Sequence, residues 1–241
     1  MIIMDSTILK EERSVSEKVI SEIDLFAQDL SRKTKPVLTP AAYRAVKRGL
    51  DIVLSALAIL VLFPLMLLIC VLIRIDSEGP AVYIHNRIGK NGRPLPLIKF
   101  RSMYLDAESM IDSFTPAQKA EWEKNYKLDN DPRITRMGRI LRRTSLDELP
   151  QLFNILLGEL SIVGPRPVVT AELERYGENR DKFLSVTPGL TGYWQAYARS
   201  NCTYETRMLM ELYYVDHANL LWDIQIILAT FGAVFTGRGA K

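Results

Sequence analysis

Residues 52–73 have the sequence IVLSALAILVLFPLMLLICVLI, and this stretch decides the fold. None of its side chains is charged, and it is bracketed by Asp51 and Arg74. As a single helix it could cross roughly 30 Å, the thickness of the hydrocarbon core of a membrane. Pro64 stands near the middle, where proline removes one backbone hydrogen bond and clashes with the preceding turn. The stretch therefore predicts a membrane-embedded element that is interrupted at Phe63-Pro64.

Two topologies fit this stretch, and the flanking charges favour one of them. A kinked helix that spans the membrane is the commoner arrangement, but it should carry its basic residues on one side only. Here basic residues flank both ends: Arg44, Lys47 and Arg48 before the stretch, and Arg74, Arg87, Lys90 and Arg93 after it. We therefore predict a re-entrant hairpin that breaks at Phe63-Pro64 and returns to the same side, with the kinked spanning helix as the alternative.

The remaining sequence divides around this element into three parts. Residues 1–40 predict an N-terminal amphipathic helix and a linker that contains Pro36 and Pro40. This helix is a candidate for packing on a partner, including a second copy of the chain. Residues 41–76 form the membrane element, and residues 77–241 form a cytoplasmic domain that ends in an interfacial helix. The predicted class is α/β and rich in helix: a membrane re-entrant hairpin with a small mixed α/β domain and interfacial helices.

Within residues 77–241 the pattern alternates between strands and helices. Short strands are predicted at 81–84 and 95–100, joined by a turn at 89–92, and another strand at 160–163. Helices are predicted at about 116–126, 133–141, 146–157 and 220–235. The last one is apolar but contains Asp223 and Gln225, so we expect it to lie in the membrane interface rather than to span.

Composition excludes several functional classes. The two cysteines, Cys70 and Cys202, have neither disulfide nor metal-ligand spacing, and the two histidines have no neighbouring ligands. Neither of the glycine-rich phosphate-binding motifs of nucleotide-binding folds is present, and no signal peptide is visible. The net charge is only +3, and the basic residues cluster beside the apolar stretch. This arrangement favours anionic lipid or phosphate over nucleic acid as a partner.

An acidic pair is the first candidate for chemistry. Asp147 and Glu148 lie in RRTSLDELPQL, residues 142–152, where Thr144 or Ser145 would cap a helix with both acids in its first turn. The plain interpretation is a helix cap. However, arginines precede the pair at roughly three-residue spacing: Arg133, Arg136, Arg139, Arg142 and Arg143. Carboxylates among arginines stay ionised at neutral pH, as a nucleophile or metal ligand requires.

Two further segments could bind phosphate. Arg166 stands between two prolines in GPRP, residues 164–167, and a rigidly held guanidinium suits a phosphate, although a simple surface turn fits equally. Lys99 and Arg101 follow an apolar strand in KFRSM, residues 99–103, where they could instead only solubilise the strand end. The loop at 187–195 contains two aromatic residues and either covers a base or sugar or is a packed turn.

Taken in order, these motifs resemble the bacterial sugar transferase family, the monotopic phosphoglycosyl transferases. The resemblance covers about Arg44 to Gly239. It rests on the basic-flanked apolar stretch with its proline and on NRIG (86–89), KFRSM (99–103), LDELPQL (146–152), VGPRP (163–167) and PGLTG (188–192). The chain departs from the common family pattern at the predicted break, where it has Phe63-Pro64 in place of Ser-Pro.

The resemblance implies a two-step covalent reaction in the bacterial cytoplasmic membrane. Asp147 would attack the β-phosphate of a UDP-sugar and release UMP, and polyprenyl (undecaprenyl) phosphate would then take the hexose 1-phosphate to begin exopolysaccharide or glycoconjugate synthesis. Glu148 would hold Mg²⁺, and Arg166 would bind a phosphate. Arg142, Lys99 and Arg101 would complete a basic pocket in a catalytic domain that faces the cytoplasm. The residues near Trp194 and 236–240 resemble members that use glucose or galactose.

Two other functions remain open on the residues alone. One is a non-enzymatic membrane-anchored module that binds lipid or a partner, for which Asp147 and Glu148 would be dispensable. The other is a metal-dependent hydrolase of a lipid phosphate or diphosphate, which would need no acceptor.

Overall fold

The structure is a computed structural model, and it describes residues 39–125, 128, 130–198 and 202–235. The side chains of 120, 123–125 and 233–235 are outside the description. The predicted N-terminal amphipathic helix therefore lies outside the described residues.

The apolar stretch forms one long helix, α1 (Pro40–Asp76). Thr39 caps its start, where the threonine hydroxyl accepts a hydrogen bond from the Ala42 amide, and Pro40 occupies the first helical position. By length and composition α1 is the one helix among the described residues that could cross a membrane. Most of its apolar surface is exposed, with Leu60 74% and Val61 66% accessible.

One stripe of α1 packs on the rest of the domain. Its members recur every three or four residues, as one face of a helix requires. They are Asp51, Ser55, Ala58, Ile59, Leu62, Met66, Ile69 and Ile73. The stripe continues in phase through Pro64, and the opposite face carries the exposed leucines and valines.

The predicted break at Phe63-Pro64 is not confirmed, because both residues lie inside the continuous helix. Proline still removes one backbone hydrogen bond there. Packing accounts for the continuity: on either side of the proline, Leu62 and Met66 each pack into a hydrophobic cluster of the same domain. A reversal at this point would remove one of these contacts.

Polar contacts tie the first part of α1 to the domain. Lys47 forms an ion pair with Asp223 (2.8 Å). Arg48 donates hydrogen bonds to the carbonyl oxygens of Ile155 and Leu156, at 2.6 and 2.8 Å. Farther along, the buried Asp51 accepts the Ile162 amide at 3.0 Å.

The last residue of α1, Asp76, is tied to the domain as well, because its carboxylate accepts the Met137 amide at 2.9 Å. Both ends of the long helix are therefore bound to one folded unit.

The predicted strands and helices occur in the predicted order. Strands β1 (Val82–Ile88) and β2 (Pro94–Phe100) pair antiparallel, with Val82 opposite Phe100, as the alternating pattern predicted. Strands β3 (Ser161–Val163) and β4 (Gly189–Thr191) pair parallel. The helices are α2 (Pro116–Asn125), α3 (Arg136–Thr144), α4 (Gln151–Leu157), α5 (Thr170–Leu173), α6 (Arg180–Leu184), α7 (Tyr193–Tyr197), α8 (Tyr204–His217) and α9 (Leu220–Phe235). The structure thus adds strand β4 and helices α5 to α8, which were not predicted.

The predicted C-terminal helix is confirmed as α9, and the structure explains its polar residue. Asp223 is buried and accepts hydrogen bonds from the hydroxyls of Tyr43 (2.8 Å) and Tyr214 (2.6 Å). These hydrogen bonds and the ion pair with Lys47 offset the desolvation cost of burying an acid in an apolar helix. The opposite side of α9 leaves Leu228 and Phe231 exposed.

Candidate active site

The acidic pair lies in a tight turn between two helices. Leu146–Glu148 forms a single 3₁₀ turn after α3, and α4 begins only at Gln151. The predicted helix cap is wrong: Ser145 adopts a left-handed conformation (φ 57°) and its side chain makes no capping hydrogen bond. Thr144 donates instead to the Ile140 carbonyl oxygen at 2.8 Å. The left-handed residue ends α3 and redirects the chain, so both acids stand on a short turn rather than on a helix.

Leucines of the same turn fix the acidic pair against the middle of α1. Leu146 and Leu149 pack against the buried cluster that contains Met66, Ile69 and Ile73 of α1. The candidate catalytic residues are thus held next to the long apolar helix.

Glu148 is paired with a predicted basic residue. Lys99 Nζ lies 2.8 Å from Glu148 Oε1, and both side chains are partly buried. Burial alone would raise the pKa of Glu148, but the charges of Lys99 and Arg166, with hydrogen bonding from Lys99 and Gln151, outweigh it and hold the pKa below its ordinary value. Glu148 is therefore ionised at neutral pH, as the sequence predicted.

Asp147 behaves differently from its neighbour. Burial, followed by the negative charge of Glu148, raises its pKa to about 6, against the opposing charges of Lys99 and Arg142. The positive charge of the arginines is therefore not the largest influence on the pKa of Asp147, contrary to the expectation from sequence. The carboxylate is still mostly ionised at pH 7. Arg142 is held in place because its Nε donates to Ser102 Oγ at 2.9 Å.

A small polar pocket, open to solvent, lies next to the acidic pair. Its lining residues are Arg87, Leu97, Lys99, Glu148, Gln151, Arg166, Pro167, Gly189 and Leu190. Three cations and one acid give the pocket a positive field. The pKa of the nearby His85 is lowered to about 4, first by burial and then by the positive charges of Arg87, Lys99 and Arg166. Such a pocket suits an anionic ligand.

The turn that carries Arg166 is built by backbone contact between two motifs. The Gly164 amide donates to the Thr191 carbonyl oxygen (2.9 Å), and the Gly189 amide donates to that of Pro165 (2.8 Å). A Cβ on Gly189 would lie 2.0 Å from the Gly164 nitrogen. Only glycine allows this approach, so the PGLTG segment supports the turn that places Arg166 in the pocket.

Buried ion pairs behind the pocket connect two of its arginines. Arg87 Nη1 lies 3.0 Å from Glu172, which also lies 3.6 Å from Arg207. Arg207 in turn pairs with Glu211 at 3.4 Å, and Glu211 accepts the Arg166 backbone amide at 3.2 Å. Arg87 and the pocket residue Gln151 were not predicted as site residues. Arg87 lies in the NRIG motif and Gln151 in LDELPQL, and these motif memberships were the available signal.

Arg101, predicted to bind phosphate, lies elsewhere. Its guanidinium donates to the carbonyl oxygens of Ser77 (2.8 Å) and Glu78, directly after α1. The carbonyl groups at a helix end lack partners within the helix, and this buried arginine satisfies them. These contacts anchor the segment after α1, and Arg101 is not among the residues that line the pocket.

The acidic pair fits Mg²⁺ only together with a substrate. Among the described residues, no group of three or more acid, histidine or cysteine side chains could hold a metal alone. Mg²⁺, however, commonly binds through one or two carboxylates, with substrate phosphates and water completing its shell. Asp147 and Glu148 at the edge of a basic pocket fit that mode, with Glu148 as the residue lining it.

Comparison with known proteins shows which family the sequence matches. The model of the family described as bacterial sugar transferase matches residues 42–237. An undecaprenyl-phosphate galactose phosphotransferase of Salmonella typhimurium is 44% identical over 206 residues, which are 84% of this chain and 43% of the relative. The exopolysaccharide production protein ExoY of Sinorhizobium fredii is 43% identical over 197 residues, covering 80% of this chain and 87% of the relative.

A more distant relative has a different sugar in its name. The UDP-glucose:undecaprenyl-phosphate glucose-1-phosphate transferase of Escherichia coli is 34% identical over 206 residues, 82% of this chain and 42% of the relative. The chain spans less than half the length of this relative and of the Salmonella typhimurium protein. With the family match across 42–237, the chain belongs to the bacterial sugar transferase family.

Proposed function

We propose that this chain transfers a hexose 1-phosphate from a UDP-sugar to polyprenyl phosphate and releases UMP. The observation that carries the proposal is the position of Asp147 and Glu148, at the edge of a cationic pocket and against the apolar helix α1. The pocket suits a nucleoside diphosphate, and the exposed face of α1 suits a lipid acceptor. The names of the relatives, which mention undecaprenyl phosphate with galactose or glucose, support both substrate classes.

The first step forms a covalent bond to Asp147. Its ionised carboxylate oxygen attacks the phosphorus that carries the sugar, and the bond from that phosphorus to the bridging oxygen breaks. UMP leaves with the bonding electrons, and Asp147 becomes an acyl phosphate that carries the sugar. In the second step an oxygen of the polyprenyl phosphate attacks the same phosphorus and restores the carboxylate.

The surrounding residues lower the barrier by position and charge. Arg166 and Arg87 would bind the diphosphate oxygens, and a charge-assisted hydrogen bond of this kind contributes about 1.5–3 kcal/mol. Lys99 forms an ion pair with Glu148, and its positive charge would reduce the electrostatic repulsion between the Asp147 carboxylate and the anionic donor. Mg²⁺, held by Glu148, would neutralise charge on the diphosphate and on the leaving group.

The proposal is tested by measuring UMP release from a panel of UDP-hexoses and UDP-acetamido sugars, with and without polyprenyl phosphate. We expect UMP to form in amounts equal to the enzyme without acceptor, and catalytically when acceptor is present. Release of inorganic phosphate or free sugar phosphate would instead indicate a hydrolase. No turnover of any donor, with membrane binding intact, would indicate a non-enzymatic module.

The raised pKa of Asp147 predicts an acid limb in the pH profile. The carboxylate is the reactive form, so raising its pKa to about 6 moves the loss of activity to a higher pH than for an ordinary aspartate. We expect kcat/KM, which reports the free enzyme, to fall about tenfold per pH unit below pH 6. Initial rates between pH 5 and 8 measure this, with intrinsic fluorescence as a control for folding. A constant kcat/KM across this range would contradict the role of Asp147.

We further propose that α1 is embedded in one leaflet with both of its ends on the cytoplasmic side. Contacts with one domain at Lys47, Asp51 and Asp76 support this, because a bilayer cannot separate two ends that bind the same folded unit. The basic residues on both flanks agree with this orientation.

Cysteine labelling from the two sides of the membrane tests the topology. In a chain with Cys70 and Cys202 replaced by serine, we expect a membrane-impermeant maleimide to label Ala41→Cys and Glu78→Cys from the cytoplasmic side only. Leu60→Cys, on the exposed apolar face, serves as the control and should resist labelling from either side. Labelling of one end from the outer side would establish a spanning helix and overturn the proposal.

A further inference from the structure

Helix α3 has two chemically different faces. Gly138 and Leu141 are buried against the domain, and a Cβ on Gly138 would lie 2.0 Å from the Ser102 carbonyl oxygen, so this face packs tightly. The opposite face has helical i, i+3, i+4, i+7 spacing. It consists of Arg136, Arg139, Ile140 and Arg143, all exposed, and we call it the arginine face. The helix contains no acidic residue.

The arginine face has no internal partner to neutralise it. Within the described ranges, none of its three arginines forms an ion pair, and the single contact is a long one of 3.5 Å from Arg139 to the Ile134 carbonyl oxygen. The fourth arginine of the helix, Arg142, turns inward to Ser102 instead. Asp76, whose carboxylate contacts the first turn of this helix, accepts the Met137 amide. Three uncompensated guanidinium groups therefore share one surface.

This surface lies next to the C-terminal end of α1. The bond from Met137 to Asp76 fixes α3 at the C-terminal end of the long helix. There Ile75 is 76% exposed beside the exposed Arg74, and Ile140 is 48% exposed among the arginines of α3. Apolar side chains flanked by arginines are typical of segments at the headgroup level of a membrane.

We propose that the arginine face binds the headgroups of anionic phospholipids. Charge complementarity supports this occupant, because the cytoplasmic leaflet is negatively charged and attracts arginines that lie at its surface. Continuity with α1 supports it too, since α1 would bring the face to the headgroup level. The proposal rests on the membrane location given under Proposed function, but not on the reaction. Its consequence is that lipid charge orients α3. This helix is joined through Ser145 to the turn that carries the acidic pair.

The test compares binding of the purified full-length chain to vesicles of phosphatidylcholine alone and of phosphatidylcholine with 30 mol% phosphatidylglycerol, about the charge of an anionic leaflet. One arginine at such a surface contributes about a fivefold preference. We expect the wild type to bind the anionic vesicles about 10- to 100-fold more tightly, and less so at high salt because the charges are screened. Arg136→Gln/Arg139→Gln/Arg143→Gln should lose most of this preference and keep its binding to neutral vesicles.

Two further variants separate the proposal from a general charge effect. Arg93→Gln/Lys119→Gln/Arg180→Gln removes three exposed cations elsewhere, lowers the net charge of +3 by the same amount, and should keep the preference. Arg136→Lys/Arg139→Lys/Arg143→Lys should restore it. Equal preference in the wild type and the glutamine triple variant of α3, or no preference in the wild type, would overturn the proposal. UMP release in detergent should be equal in all four proteins, so failure of the proposed reaction would appear separately.

Discussion

Asp147→Asn is expected to abolish UMP release, with a loss on the order of 10³-fold or more, the scale seen when a covalent nucleophile is removed. An amide of nearly the same shape leaves the 3₁₀ turn and the packing of Leu146 and Leu149 intact, so the fold should persist. It lacks the anionic oxygen that attacks the phosphorus. Release of UMP from a UDP-hexose, measured with and without polyprenyl phosphate, checks this expectation.

The covalent step gives the same experiment a second, direct measurement. Wild-type protein incubated with donor alone should gain the mass of one sugar phosphate, and peptide mapping should locate it at Asp147. Asp147→Asn should gain no mass, whereas Asp181→Asn, an exposed aspartate on α6, should behave as the wild type. Full activity of Asp147→Asn would refute the assignment. A requirement for acceptor before any UMP appears would indicate direct transfer without an enzyme intermediate.

The elements of the domain could be predicted because their residues obey local rules. The sequence pattern predicted the hairpin of β1 and β2. The apolar residues at 220–235 predicted α9, even though Asp223 interrupts this apolar segment. The acid could not be explained from sequence, because its partners Tyr43 and Lys47 lie about 180 positions earlier in the chain. Long-range partners decide whether a buried charge is tolerated.

The errors in the site have the same physical origin. Arg101 follows Lys99 by two positions, and local chemistry does not distinguish them. The structure does: Lys99 meets Glu148, whereas Arg101 meets carbonyl groups at the end of α1 that need donors. The supposed cap at Ser145 is wrong because this residue adopts a left-handed conformation that ends α3, and its side chain makes no capping hydrogen bond.

The continuous α1 shows how packing can override a local rule. Pro64 predicted a break, and the backbone does lose one hydrogen bond there. Leu62 and Met66 keep their helical phase because each packs into a hydrophobic cluster of the domain, and Leu149, next to the acidic pair, packs against both clusters. The middle of α1 and the candidate active site therefore pack against the same hydrophobic clusters.

Glu148→Gln should reduce kcat/KM by about 10²- to 10³-fold, for a reason that differs from that of Asp147→Asn. The amide keeps the shape but leaves the charge of Lys99 uncompensated at 2.8 Å and removes the proposed ligand of Mg²⁺. A weakened metal site should be partly refilled by mass action, so raising the Mg²⁺ concentration should recover some activity. Glu178→Gln, at an exposed position, is the matched control and should need no more Mg²⁺ than the wild type.

In the same variant we expect the acid limb of the pH profile to move to lower pH. The charge of Glu148 is one of the two influences that raise the pKa of Asp147 to about 6, so its removal should lower that pKa. The remaining activity of Glu148→Gln should therefore persist to a lower pH than that of the wild type, although its maximum rate is smaller. A variant that is merely misfolded would lose rate without moving the acid limb. An unchanged acid limb with an unchanged requirement for Mg²⁺ would show that Glu148 acts neither on the metal nor on Asp147.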